Sequence, residues 1–96
     1  MEPTTYYIQI QMHCKEHDIT IAHFDQSSCD KIVHELFDEL LGESQPAANR
    51  LLRINLLLNK KETSETELRS IHCTLDELAE NMKIIIKKTF RAVNFD

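Results

Sequence analysis

Residues 6–12 read Tyr-Tyr-Ile-Gln-Ile-Gln-Met, and residues 19–24 read Ile-Thr-Ile-Ala-His-Phe. In both stretches apolar and polar side chains alternate with a period of two, which is typical of a strand with one buried face. A short polar segment separates them and suits a turn. We therefore predict that the chain begins with a β-hairpin, with Ile8 and Ile10 on the buried face of its first strand.

A helical stripe of apolar residues follows the hairpin. It consists of Cys29, Ile32, Val33, Leu36, Phe37, Leu40 and Leu41. Ser27 with Asp30 resembles a capping box at its start. Gly42, the only glycine, stands where a helix C-cap needs a left-handed residue. These signals predict a first helix that ends at Gly42.

The second half of the chain repeats this order. Residues 51–58 predict a third strand, with Leu52, Ile54, Leu56 and Leu58 inward and Arg53, Asn55 and Leu57 outward. Residues 59–65 suit a hairpin loop. Residues 67–73 predict a weaker strand, in which Leu68 and Ile71 cannot share a face without a β-bulge.

A second helix is predicted from a capping box formed by Thr74 and Glu77. Its predicted apolar face consists of Leu75, Leu78, Ala79, Met82, Ile85, Ile86, Phe90 and Val93. Acidic residues at its start and basic residues at its end complement the helix dipole.

The resulting element order is ββαββα. It predicts an α+β fold, a two-layer sandwich in which an antiparallel four-stranded sheet carries two helices on one face. We predict a single compact domain over residues 1–96. An offset of 46 residues aligns Ile8 with Ile54 and Asp30 with Asp76, which suggests an internal ββα pseudo-repeat over residues 5–42 and 51–93.

Composition and charge restrict the classes of function. The chain is 42% hydrophobic and 28% charged, which favours a folded domain over a disordered one. Its net charge of -5 opposes contact with nucleic acid and suits a small acidic protein. The alternative is nucleic-acid binding through the basic C-terminal helix. That reading would use Arg53 together with Lys83, Lys87, Lys88 and Arg91.

The location of the protein is predicted from absent signals and from its cysteines. No apolar run reaches the length of a membrane span, and residues 1–5 lack the features of a secretory signal. The three cysteines are an odd number without repeated spacing. We therefore expect a cytoplasmic protein with reduced thiols and no membrane contact.

Histidine and cysteine are the only chemically suggestive group. Cys14 and His17 have a spacing that zinc sites use, and His72 adjoins Cys73. A structural zinc site needs a second tight pair of ligands, which is absent. We therefore predict no metal and no cofactor. A metal- or redox-responsive His/Cys domain remains the alternative.

Catalysis is not predicted either. Hydrolase oxyanion loops use glycine, and this chain has one. Phosphate-cradling, dinucleotide-binding and metalloprotease motifs are all absent from the sequence. We predict that the protein is not an enzyme and has no catalytic residues.

Apolar residues on the predicted helix-free side of the sheet are the main functional clue. If Ile8, Ile10, Ile21, Ile54 and Leu56 cover the helices, then Tyr7, Ala22, Phe24 and Leu57 lie on the opposite face. They would mix there with Gln9, Gln11, Arg53 and Asn55, as in a protein interface. Ile84 is predicted on the polar side of the last helix. The predicted partner-binding residues are therefore Tyr7, Gln9, Phe24, Arg53, Leu57 and Ile84.

The predicted function is a non-catalytic protein–protein interaction module. It would self-associate as a homodimer through the open sheet face or an edge strand, or bind a larger protein partner. One form of the second possibility is a small acidic inhibitor or adaptor of the phage or mobile-element type.

Overall fold

A computed structural model describes residues 4–26, 30–60 and 64–94, with the side chains of residues 5–26, 30–59 and 65–89. The elements are β1 (Thr4–His13), β2 (Asp18–Asp25), α1 (Asp30–Asp38), β3 (Leu52–Lys60), β4 (Ser64–Cys73) and α2 (Leu75–Asn94). The strands form one sheet in the order β2-β1-β3-β4, with every neighbouring pair antiparallel. The predicted α+β fold with the order ββαββα is confirmed.

The core lies between one face of the sheet and both helices. Its buried residues are Tyr6, Ile8, Ile10, Val33, Leu36, Phe37, Leu52, Ile54, Leu56, Cys73, Leu78 and Ile85. The central strands β1 and β3 contribute most of the sheet side because alternate residues of both strands point to the same face. The predicted inward positions of β1 and β3 thus form the floor of the core.

Each hairpin contains one β-bulge. The β1–β2 register shifts between Ile10 and Gln11, opposite the extra residue Ile21 of β2. The β3–β4 register shifts between Leu56 and Leu57, opposite the extra residue Leu68 of β4. The predicted irregularity in the fourth strand is confirmed, whereas the first bulge was not foreseen.

The β2 bulge corrects the placement of three residues. Ile21 was predicted to cover the helices but is 47% exposed. Beyond it, Ala22 lies opposite Ile10 and Phe24 lies opposite Ile8, and both pack against the core. The prediction that Ala22 and Phe24 lie on the helix-free face was wrong because an extra residue shifts the alternation of side chains by one.

Helix α1 is shorter than predicted. It ends at Asp38. Backbone hydrogen bonds between residues three apart, from Glu39 N to Leu36 O (3.0 Å) and from Leu40 N to Phe37 O (3.1 Å), form a tighter turn after it. Gly42 is therefore not its C-cap. A Cβ atom on Gly42 would lie 2.8 Å from the carbonyl oxygen of His72, so the glycine allows close approach to β4. Ser27 and Cys29 lie outside the described residues.

The capping box of α2 is confirmed. Glu77 N donates to Thr74 Oγ1 (3.1 Å), and Thr74 N donates to Glu77 Oε1 (2.9 Å). The buried side of the helix differs from the prediction, however. Leu75 and Ile86 are 73% and 51% exposed, and Ile84 packs against the core instead of lying on a polar side.

Asn81 explains the altered orientation of α2. Its side chain is fully buried, accepts a hydrogen bond from Leu41 N (2.7 Å) and donates one to Leu41 O (2.8 Å). The apolar pattern of the sequence predicted only apolar residues on the buried side of α2. A polar amide can nevertheless be buried there, because both its acceptor and its donor are hydrogen-bonded. The helix therefore presents Asn81 and Ile84 inward.

The pairing of the sheet has an approximate two-fold symmetry. Gln9 and Asn55, which are 46 residues apart, pair with each other at the centre of β1 and β3. The two register shifts in β1 and β3 are separated by the same offset. This relation agrees with the proposed ββα pseudo-repeat, which stays a prediction.

Candidate functional site

The helix-free face of the sheet holds four of the six predicted partner-binding residues. Tyr7 pairs with Leu57, Gln9 pairs with Asn55, and neither Tyr7 nor Leu57 belongs to the core cluster under the helices. Both are nevertheless buried, at 6% and 5% exposure. The ring of His23 stacks on the ring of Tyr7, with centroids 4.2 Å apart and an interplanar angle of 6°. These apolar groups therefore offer little surface to a partner.

Polar side chains occupy the middle of the same face. Asn55 is 1% exposed and its Nδ2 donates to Gln9 Oε1 (3.1 Å) and to Gln11 Oε1 (2.9 Å). Arg53 Nη2 donates to both carboxylate oxygens of Glu67, at 3.0 and 2.9 Å. The polar side chains of this face therefore hydrogen-bond one another, and the face is not an exposed apolar surface. Phe24 and Ile84, the other two predicted residues, lie on the helix side, so the structure does not bring all six together.

The two edges of the sheet differ in their protection. At the β4 edge, Glu43 N donates to His72 O (2.9 Å) and His72 N donates to Glu43 O (2.7 Å), which covers the end of the strand. The exposed glutamates Glu65 and Glu67 add charge along β4. A covering segment and charged residues are two of the means by which proteins prevent edge-to-edge pairing.

The β2 edge has no covering segment among the described residues, and its charged residues, Asp18 and Asp25, lie only at the two ends of the strand. Gln26 N donates to Tyr6 O (2.8 Å). Because hydrogen-bonding direction alternates along an antiparallel strand, the backbone groups of His23 and Asp25 point away from β1. Among residues 4–26, 30–60 and 64–94, none pairs with this outward side. Ile19 and Ile21 are 40% and 47% exposed beside it.

A pocket of about 360 Å³ lies at one end of the helix-free face. It is lined by Gln11, His13, Asp18, Pro46, Ala47, Arg50, Leu51, Arg53 and His72. The segment before β3 forms its wall, held by bonds from Arg50 N to Ala47 O (2.9 Å) and from His13 N to Leu51 O (2.8 Å). The pocket thus has an apolar wall and a polar floor.

The arginines and the aspartate that line this pocket are paired with neighbouring side chains. Arg50 Nη2 lies 3.3 Å from Glu77 Oε2, and His13 Nδ1 lies 2.9 Å from Asp18 Oδ1. Burial lowers the pKa of His72, and the nearby Arg53 guanidinium lowers it further against an opposing effect of Glu67. His72 is therefore held toward its neutral form.

The described histidines and cysteines do not converge. Over the described part of the chain, no three His, Cys, Asp or Glu side chains form a group that could hold a metal ion. Cys14 N donates to His17 O (3.1 Å), so the suggestive spacing builds a turn between β1 and β2. Cys73 is a free, buried thiol whose pKa is raised to about 11 by burial and by the charge of Glu77.

The basic residues proposed for nucleic-acid contact are mostly paired with acids. Lys83 Nζ lies 3.3 Å from Glu80 Oε2, and Lys88 Nζ lies 2.8 Å from Glu39 Oε2. Arg53 is paired as described above. The side chain of Arg91 lies outside the described residues. Paired cations contribute less to phosphate binding than free ones, which weakens this alternative.

Comparison of the chain with protein-family models, with curated proteins and with solved structures returns no match. Within the described residues, no helix has both the length and the apolar composition needed to cross a membrane.

Arg50 and Asn81 are the important residues that the sequence did not single out. Arg50 lies in a polar loop, and only its position beside the ends of β1 and β3 makes it part of a pocket. Asn81 interrupts the apolar pattern of the second helix, and this interruption was visible in the sequence. The pattern does not, however, identify Leu41 as the hydrogen-bond partner of Asn81.

Proposed function

We propose that this chain is a non-catalytic protein-binding module that self-associates by pairing β2 of one copy with β2 of a second. The edge of β2, which no described segment covers, supports this proposal most strongly. The proposal narrows the broader expectation of a protein–protein interaction module to one defined surface and to a second copy of the chain as the partner.

The backbone of β2 favours strand addition. Outward N–H and C=O groups at His23 and Asp25 would gain partners from a neighbouring strand. The exposed side chains of Ile19 and Ile21 would lose contact with water at the same time. Backbone pairing would supply the geometry, and apolar burial would supply much of the free energy.

The asymmetry between the two edges favours a second copy as the partner. A two-fold axis beside β2 would join two sheets into one of eight strands, with a β4 edge at each end. Those ends carry the Glu43 bridge and the glutamates of β4. The assembly would therefore close at the dimer and not extend into a fibre.

The matched pair of bulge residues provides the test. Ile21→Lys places a charge at the β2 edge, and Leu68→Lys places the same charge at the corresponding bulge of β4. Both residues are already exposed, at 47% and 37%, so neither change should unfold the chain. Mass by light scattering is measured from micromolar to millimolar concentration.

The wild type and Leu68→Lys should approach twice the 11.2 kDa chain mass as concentration rises, while Ile21→Lys should stay monomeric. A wild type that stays monomeric throughout this range would overturn the proposal. So would equal dissociation of the dimer by both lysine variants, because a β2 interface requires that they differ.

A further inference from the structure

We propose that the pocket lined by Arg50 and Arg53 binds a small carboxylate with an apolar body. This site does not depend on self-association, and only Asp18, the first residue of β2, belongs to both the pocket lining and the strand. Its volume of about 360 Å³ is at the small end of the range for ligand pockets.

Unused guanidinium donors supply the binding chemistry. Arg50 and Arg53 line the pocket from the loop before β3 and from β3 itself. Each commits its Nη2 group to a glutamate, Glu77 and Glu67 respectively. Among the described residues, each Nε is buried without a hydrogen-bond partner, so it is not accessible to a ligand, and no bond involves either Nη1, which leaves the Nη1 groups as the donors for a ligand.

The two arginines are held in place before a ligand arrives. Their side chains are 22% and 35% exposed, and each is anchored by an ion pair to a glutamate. A preorganised arginine loses less conformational freedom on binding than one free in water. Because guanidinium N–H groups form strong hydrogen bonds with carboxylates, the Nη1 groups favour a carboxylate oxygen.

The other groups of the pocket agree with this ligand class. Asp18, the one acidic residue in the lining, is engaged by His13 at 2.9 Å, which reduces its repulsion of an anion. Gln11 adds an amide next to Arg53. Pro46, Ala47 and Leu51 form an apolar wall that would cover the body of the ligand, as in most small-molecule sites.

The experiment uses the full chain and two probes of the same shape, benzoate and neutral benzamide. Amide chemical shifts are followed by NMR while each probe is added at constant pH and ionic strength. We expect saturable shifts at the pocket residues with benzoate and affinity at least about tenfold lower for benzamide, because a charge-assisted hydrogen bond is lost.

Three arginine variants locate the binding. Arg50→Gln and Arg53→Gln should each lower benzoate affinity by about tenfold. Arg69→Gln is the matched control, since Arg69 also pairs with a carboxylate (Asp38, 2.7 Å) and is 35% exposed like Arg53. Arg69→Gln should leave the affinity for benzoate unchanged, and the NMR spectrum of each variant should show that the variant is folded.

Two peptide probes distinguish a free acid from the end of a protein chain. A short peptide with an apolar C-terminal residue is added with its terminus either free or amidated. Binding of the free form with loss on amidation supports the same carboxylate chemistry. Equal affinity for benzoate and benzamide, or no saturable shift with benzoate or either peptide, would overturn the proposal.

Discussion

Replacement of Asn81 by alanine tests how α2 is joined to the segment that follows α1. The Asn81 side chain is fully buried and holds both the N–H and the C=O of Leu41, at 2.7 and 2.8 Å. Asn81→Ala removes both hydrogen bonds, worth about 1 kcal/mol each, and leaves two backbone groups without this partner. The higher helix propensity of alanine returns about 0.6 kcal/mol.

The expected net loss is about 2 to 3 kcal/mol once the cavity left by the amide is added. In a domain of this size that corresponds to a fall in Tm of roughly 10 to 20 °C. Urea denaturation followed by circular dichroism measures the loss. Glu80→Ala, one residue away on the exposed side of α2, should cost less than about 0.5 kcal/mol.

The variant Asn81→Asp separates hydrogen bonding from packing. At neutral pH its ionised carboxylate would face the Leu41 carbonyl oxygen, so the loss should exceed that of Asn81→Ala. Protonation restores a donor, which means that the pKa of the new carboxyl is raised in the folded state. Stability should then increase as pH falls. If Asn81→Ala is no worse than Glu80→Ala, or Asn81→Asp shows no such pH dependence, the reasoning fails.

Three further outcomes are expected. Burial raises the pKa of Cys73 from 9.0 to about 11, so the neutral thiol contributes to stability fully below pH 9, and this contribution is lost as the pH rises toward 11. Urea titrations should show a loss of about 2 to 3 kcal/mol over this range, and a free energy of unfolding that does not change with pH would contradict the prediction. At pH 8, iodoacetamide should label partly exposed Cys14 well before Cys73 in the folded chain, and equal rates would argue against this burial. Arg53→Gln should raise the His72 pKa in an NMR titration, because it removes a positive neighbour and leaves Glu67, so a lowered value would contradict the pocket electrostatics.

Alternation of apolar residues predicted the sheet because β1 and β3 are its central strands. Ile8, Ile10, Ile54 and Leu56 are each fully buried, so their pattern directly reflects the core. The capping box at Thr74 was equally local, since both of its hydrogen bonds lie within four residues. Elements that are defined by nearby residues could thus be predicted.

The candidate surfaces could not be predicted in the same way. Placement of Phe24 depends on a bulge at Ile21, and a single extra residue reverses every side chain after it. The pocket depends on Arg50 reaching the sheet from a loop. Burial of Tyr7 removes the apolar surface that its sequence position suggested. These properties arise from tertiary contacts between segments distant in sequence.

Hydrogen exchange of the β2 backbone tests the proposed self-association most directly. Exchange rates of the His23 and Asp25 amides are measured by NMR at low and high protein concentration, in the wild type and in Ile21→Lys. We predict that both amides become protected at high concentration in the wild type and stay unprotected in the variant. A dimer whose His23 and Asp25 amides exchange as fast as in the monomer would contradict it.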